Sequence, residues 1–321
     1  MVERSRCGLR TVALTSAVFA AAFSVGGCGL GAAAGSPTPI TLPTALPQSM
    51  TFEQTLPLFE YNRSQPFDIR ELSTWPIGEV TLRDISYDGA DRLRMPAYLV
   101  LPPGDGPFPG IVWLGWYGDW THVRDEFVLE ATAMAERGVA SIVVSGYFPA
   151  YQSPQDKDSD RAAVIMQIRE LRRAVDLLLV QDGVDPARIA FVGHGTGAMH
   201  GLSLVAVDRR LTVATLLAPS SSVADLVFSG YGLDPAEEPA YRQVMAPFDP
   251  PAMAAHAAPA ALFFQFGRDD PFVPESSARM LFDAASEPKR MGWYGGGHDL
   301  DDQARAERDA WLEERLGLAT N

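Results

Sequence analysis

An α/β fold with a mostly parallel central sheet is predicted by two observations. From about residue 79 onward, short apolar runs of strand type alternate with amphipathic stretches of helical spacing. The chain has 321 residues, 47% hydrophobic and 21% charged, a composition that supports a sizeable core. Strands that alternate with helices are joined by crossovers, and crossovers cover both faces of a parallel sheet.

Each element follows in order. The stretches "EVTLRDISY" and "LRMPAYLVLP" read as two strands with a turn at Asp88-Gly89, an antiparallel start at one edge. "GIVWLG" is an apolar run of buried-strand type. "RDEFVLEATAMAERG" has helical spacing, with Phe127, Ala131, Met134 and Ala135 on one face and Gly138 at its end. "VASIVVSG" is the next strand, and "DRAAVIMQIRELRRAVDLLLVQ" is a long amphipathic helix. "RIAFVG" is a strand followed by the helix "TGAMHGLSLVAV". "LTVATLLAP", "AALFFQFG" and "KRMGWYGG" complete the strands, and "DDQARAERDAWLEERLG" closes the chain as a helix. Residues 219–258 interrupt this rhythm. The stretch is too long for a plain connection, so it is expected to form a small cap over the sheet's C-terminal edge. Its aromatic residues Phe228, Tyr231, Tyr241 and Phe248 either line an apolar pocket or pack the cap.

Three motifs carry the chemistry: "VDPARIAFVGHGTGA", "FGRDDPFVP" and "GGGHDL". In the first, a strand enters a Gly-rich turn ahead of a helix. That is the frame of the nucleophile elbow G-x-S-x-G, but Gly195 stands where the serine belongs. No G-K-[ST] follows, so the glycines are not a phosphate loop. Taken with the alternating elements, the motifs resemble the α/β-hydrolase family, and within it the dienelactone-hydrolase-like and acetyl-esterase-like bacterial members. The resemblance covers about residue 52 to the end of the chain. It implies an α/β-hydrolase fold with helices on both faces of the sheet. It also implies Asp270 as the acid, with Asp269 as the second choice, and His298 as the base.

The order elbow, Asp, His is the family's own. The carboxylate holds the imidazole tautomer and stabilises the imidazolium formed when His takes a proton. The resemblance further implies an oxyanion hole made by the N–H groups of Thr196 and of Trp116. The family commonly has His-Gly at the second place, where this chain has Leu114-Gly115-Trp116. Tyr147 and Phe148 are candidates to line the same pocket, and His194 packs structurally in the family. His122 and His256 have no functional partner that the sequence identifies.

Gly adopts the elbow's positive φ freely, so Gly195 preserves the architecture while deleting the Oγ that would be acylated. Three replacements stay open at this point: the Thr196 hydroxyl, a serine among Ser220, Ser221 and Ser222, or a water activated by the Asp270–His298 pair. The expected function is a hydrolase of carboxylic esters or related acyl bonds, with impaired or unconventional activity. The alternative is a non-catalytic surface lipoprotein that binds an acyl or aromatic ligand in the same pocket.

No cofactor and no metal are expected. The two cysteines, Cys7 and Cys28, both lie near the N-terminus, and no H-E-x-x-H pattern occurs. A net charge of −14 leaves no electrostatic footprint for nucleic acid.

The N-terminus has a basic start at Arg4, Arg6 and Arg10 and an uncharged apolar run from Thr11 to Val25, too short for a comfortable span. It ends in "SVGGCG", which resembles a bacterial lipobox with Cys28 as the lipidated residue. On that reading residues 1–27 are a signal peptide and residues 28–50 are the lipidated Cys and a flexible tether, leaving residues 51–321 as the folded domain. The tether is uncharged and rich in Gly, Ala, Pro and Thr, and its mean span would be roughly 25 Å. The expected location is extracytoplasmic, with the membrane as a partner through the lipid anchor.

Overall fold

A computed structural model describes residues 49–116, 123–145, 154–230 and 233–318. The lipobox and Cys28 lie outside the described residues, as do His122, Tyr147, Phe148 and Tyr231.

The elements run α1 (Phe52–Thr55), β1 (Arg70–Ile77), β2 (Val80–Asp88), β3 (Arg94–Leu101), β4 (Phe108–Leu114), α2 (Val128–Ala135), β5 (Ala140–Val144) and α3 (Lys157–Leu179). They continue with β6 (Val184–His194), α4 (Thr196–Val207), β7 (Leu211–Leu217), α5 (Val223–Gly230), α6 (Glu238–Met245) and α7 (Pro250–Ala254). The last are β8 (Ala261–Gly267), α8 (Glu275–Ala284), β9 (Lys289–Tyr294) and α9 (Asp302–Leu316).

The nine strands form one sheet in the order β1-β2-β3-β5-β4-β6-β7-β8-β9. The first three pair antiparallel, and β3 joins β5 antiparallel. From β5 to β9 every pairing is parallel. The parallel strands read as near-continuous apolar runs because helices cover them on both faces. Val112, Phe191, Leu216 and Phe264 face one core, with Ile168, Leu171 and Val175 of α3 and Leu202 of α4. Trp113, Val192, Val213 and Phe263 face the other, with Ala131 and Met134 of α2 and Trp311 and Leu312 of α9.

Local signals set the helix ends. The Asp156 side chain accepts the N–H groups of Asp158 and Ser159 at the start of α3, and Asp301 accepts the Ala304 N–H at the start of α9. Gly317 closes α9 in the left-handed conformation.

Three elements have no counterpart in the sequence reading: α1, a single turn of four residues, β1 and α8. β1 is an edge strand whose eight residues are all exposed, so it shows no period-two burial to read. α8 is short and largely exposed, burying only Ala278 and Leu281. Between β7 and β8 the chain forms the short helices α5, α6 and α7. The described aromatic residues of this segment, Phe228, Tyr241 and Phe248, turn inward. Tyr241 and Phe248 join the core, and Phe228 packs edge-on to Tyr241 at 5.3 Å between ring centroids. His256 stacks on Phe52, with ring centroids 3.8 Å apart.

Candidate active site

Register brings the site together. Leu114 pairs with Gly193, His194 with Leu217, and Gly267 with Tyr294. The C-terminal ends of β4, β6, β7, β8 and β9 therefore lie along one edge. The residues that follow them, Trp116, Gly195, Ala218, Asp270 and His298, converge there.

Gly195 has φ 53° and ψ −117°, the strained turn between strand and helix that an elbow needs. Its N–H donates to the Leu217 carbonyl at 2.8 Å. The helix behind it is pressed close to the sheet. A Cβ on Gly197 would lie 2.3 Å from the Leu114 carbonyl oxygen, so only glycine fits there.

Asp270 and His298 meet. Asp270 Oδ2 lies 2.8 Å from His298 Nδ1, and Asp270 Oδ1 accepts the N–H groups of Phe272 at 2.8 Å and Val273 at 3.1 Å. The side chains are 1% and 10% exposed, so the carboxylate is buried while the imidazole keeps an edge on the cavity. Burial alone would raise the Asp270 carboxyl, but the hydrogen bonds from His298, Phe272 and Val273 outweigh it and hold the group below its ordinary value. Asp269, the second choice for the acid, is exposed and makes no bond to His298. His298 Nε2 points at the elbow: a Cβ built on Gly195 would lie 3.1 Å from it.

A cavity of about 680 Å³ opens at this point. Met199, Leu226, Phe272 and Val273 supply apolar walls, and Asp225 and Ser277 mark a polar side. The three serines after β7 bond locally. Ser221 Oγ lies 2.7 Å from Ser277 Oγ, Ser220 Oγ donates to the Ser222 carbonyl, and Ser222 Oγ accepts the Asp225 N–H. None of them is hydrogen-bonded to His298 among the described residues.

Thr196 opens α4, whose first-turn N–H groups have no acceptor within the helix. Its hydroxyl is buried and has no partner among the described residues.

Trp116 differs from the expectation that its N–H would complete an oxyanion hole. That N–H donates to Glu126 Oε2 at 2.8 Å, because a carboxylate is a stronger acceptor than a neutral oxygen. The other oxygen, Glu126 Oε1, lies 2.6 Å from His194 Nδ1, and His194 Nε2 lies 3.0 Å from the His298 carbonyl. His194 thus holds a specific contact to the histidine loop rather than acting as packing alone. Glu126 is the site residue that sequence reasoning missed. Within "RDEFVLEATAMAERG" it reads as one of several solvent-facing acids, and only the fold brings it to His194, 68 positions away.

The Trp116 ring stands edge-on to His298, with centroids 4.9 Å apart, and a Cβ on Gly195 would lie 2.8 Å from Trp116 Cβ. Among the described residues, no group of three or more His, Cys, Asp or Glu is placed to hold a metal ion. Among them too, no helix is long and apolar enough to cross a membrane.

No family model matches the chain. It is similar to Esterase FrsA of Citrobacter koseri, 22% identical over 255 residues, covering 74% of this chain and 60% of that protein. Esterase FrsA of Escherichia fergusonii is 21% identical over 255 residues with the same coverage. The chain thus spans about 60% of the length of these curated relatives. Among solved structures, acetyl xylan esterase 1 from Thermoanaerobacterium sp. superposes with a TM-score of 0.69 at 14% identity, covering 84% of this chain and 95% of that one. The acetyl xylan esterase from Paenibacillus sp. R4 gives 0.65 at 20% identity, covering 82% and 93%. A glucuronoyl esterase from Solibacter usitatus gives 0.60 at 14% identity, covering 82% and 91%. With its parallel sheet, its flanking helices and these structural neighbours, the chain has the α/β-hydrolase fold.

Proposed function

We propose that the protein hydrolyses carboxylic esters or related acyl bonds, and that water activated by the Asp270–His298 pair replaces the missing serine. The observation that carries this reading is the 2.8 Å contact between His298 Nδ1 and Asp270 Oδ2, with Nε2 turned toward Gly195 at the mouth of the cavity. Burying a carboxylate is costly unless it is paired, and here the pairing leaves one imidazole nitrogen for a proton on the cavity side. The esterase relatives supply the bond type: they are named for ester cleavage.

The chemistry balances without an acyl-enzyme. His298 Nε2 takes a proton from water as the oxygen attacks the acyl carbon. The resulting oxyanion faces the first-turn N–H groups of α4. The imidazolium then protonates the departing alkoxide, releasing acid and alcohol. Without a nucleophile, such a site is expected to retain roughly 10³–10⁴-fold acceleration over water.

A short-chain p-nitrophenyl ester series tests this. The parent should turn over slowly, and His298→Ala should lower the rate by about 10²-fold or more, toward what binding and the α4 N–H groups support by themselves. A parent at background would end the catalytic reading.

The Glu126 grip on the Trp116 N–H favours a second reading, because it takes away one expected oxyanion donor. On that reading the cavity binds an acyl or aromatic ligand without cleaving it. Calorimetric titration of fatty and aromatic carboxylic acids into an inert parent separates the two. The sequence "SVGGCG" further supports lipidation at Cys28 and an extracytoplasmic, membrane-tethered location.

A further inference from the structure

The loop that carries His298 is poorly held by its own backbone. Gly296 and Gly297 have φ 80° and 65°, and Leu300, which is not glycine, has φ 62°. The backbone bond that closes its short 3-10 turn, from the Leu300 N–H to the Gly297 carbonyl, is long at 3.4 Å, and the Gly295 N–H donates to Asp301 Oδ2 at 2.9 Å. Such a loop takes its geometry from outside contacts. Several lie on the imidazole: Asp270 on Nδ1, the Trp116 and Phe272 rings edge-on at 4.9 and 5.1 Å, and the His194 ring with its centroid 4.9 Å away. One lies on the backbone: His194 Nε2 at 3.0 Å from the His298 carbonyl.

The Glu126 carboxylate stands behind both Trp116 and His194. One oxygen accepts the Trp116 N–H, and the other meets His194 Nδ1. Both nitrogens of His194 face oxygen atoms, and a neutral imidazole has one N–H to give. The closer of the two contacts is the one to the Glu126 carboxylate, at 2.6 Å from Nδ1. The His194 side chain is 4% exposed, and an apolar residue would fill the same space at less desolvation cost. The pair also lines a second cavity of about 510 Å³, divided from the first by Trp116.

We propose that Glu126 and His194 are positioning residues for His298: Glu126 orients His194 and Trp116 together, and these hold the His298 backbone and ring against the elbow. The proposal rests on the reading of Asp270–His298 as the working pair, and it adds a second carboxylate–histidine pair that acts through the first. His194 does not meet substrate, since its Nε2 is taken by the His298 carbonyl.

The test reads the Asp270–His298 bond directly, by the downfield proton resonance of His298 Nδ1–H in the full-length protein with 15N-labelled histidine. It is run alongside ester hydrolysis. His194→Phe keeps the volume and removes the donor. It is expected to lose the resonance or to speed its exchange with water at least tenfold, and to lower kcat with little change in KM. His194→Gln, whose amide can donate to the same carbonyl, is expected to retain both. If His194→Phe does not fold, Glu126→Ala carries the test, because it leaves His194 in place and removes what orients it; faster exchange is again expected.

An unchanged resonance and exchange rate in folded His194→Phe, or in Glu126→Ala where that variant stands in, overturns the proposal. A parent without the resonance overturns the Asp270–His298 contact itself and the proposed function with it. A parent with the resonance but no esterase activity sinks only the catalytic reading and leaves the positioning test intact.

Discussion

Gly195 is held at φ 53° in a space already occupied on two sides. A Cβ there would sit 2.8 Å from Trp116 Cβ and 3.1 Å from His298 Nε2. The first neighbour is a branch point next to the backbone, so it yields only if the Trp116 segment moves, and Glu126 resists that through the Trp116 N–H. The space around Gly195 is therefore tight for any side chain. Gly195→Ser is expected to fold but to lose stability on the order of 1–3 kcal/mol, from positive φ and from the displaced Trp116 together. Chemical denaturation with a constant m-value reads this. A variant as stable as the parent would mean that Trp116 yields at no cost and that the elbow still accommodates a nucleophile.

At the scale of elements, the segment between β7 and β8 is tied down by buried polar contacts as much as by packing. Asp249 Oδ1 accepts the Val223 N–H at 2.8 Å, joining the start of α7 to the start of α5. Burial pushes the Asp249 carboxyl up from 3.8 to about 7; the Val223 N–H opposes this, while the nearby Asp225 carboxylate adds to it. The folded state then binds more protons than the unfolded state between these values, so stability falls as pH rises through that window. Asp249→Asn keeps an acceptor for Val223 and removes the charge. Below about pH 4 it is expected to match the parent, and at pH 8 to exceed it by roughly 1–2 kcal/mol. Melting curves across pH check this, and a constant difference between the two proteins at all pH values would refute it. Because Asp225 and Leu226 of α5 line the cavity, a stiffer segment is also expected to tighten its mouth.

At the scale of the whole molecule, the cavity and its histidine lie at the C-terminal edge of the parallel strands, where sheets of this kind place their ligand sites. The parallel part of the sheet is sheathed by helices, while β1 stands exposed at the far edge. Removal of residues 1–27 would take away three Arg and one Glu and bring the net charge from −14 to −16. A domain so charged does not adsorb to an anionic bilayer by electrostatics, so the membrane residence proposed above would depend on the proposed lipid anchor. Cys28→Ala is accordingly expected to shift the protein from the membrane fraction to the soluble extracytoplasmic fraction. The intact mass of the mature N-terminus is expected to begin at a diacylated or triacylated Cys28, and an unmodified N-terminus at another residue would refute the anchor.

The sequence by itself determined the order of strands and helices from β2 onward, apart from α8 and the short helices between β7 and β8, because those elements leave a trace in apolar runs, alternation or helical spacing. The family resemblance carried by "FGRDDPFVP" and "GGGHDL" also pointed to Asp270 and His298, whose side chains lie 2.8 Å apart in the structure. Tertiary structure alone decided the rest. β1 buries nothing and has no trace to read. Tyr241 and Phe248 pack into the core rather than lining the cavity, because the direction a side chain takes in a short helix depends on what the helix is packed against. The Trp116 N–H meets Glu126 and not the cavity, and Glu126 reaches His194 only because β4 and β6 lie side by side in the sheet. Hydrogen bonds between residues far apart in the chain follow from register and strand order, and no local pattern of residues encodes them.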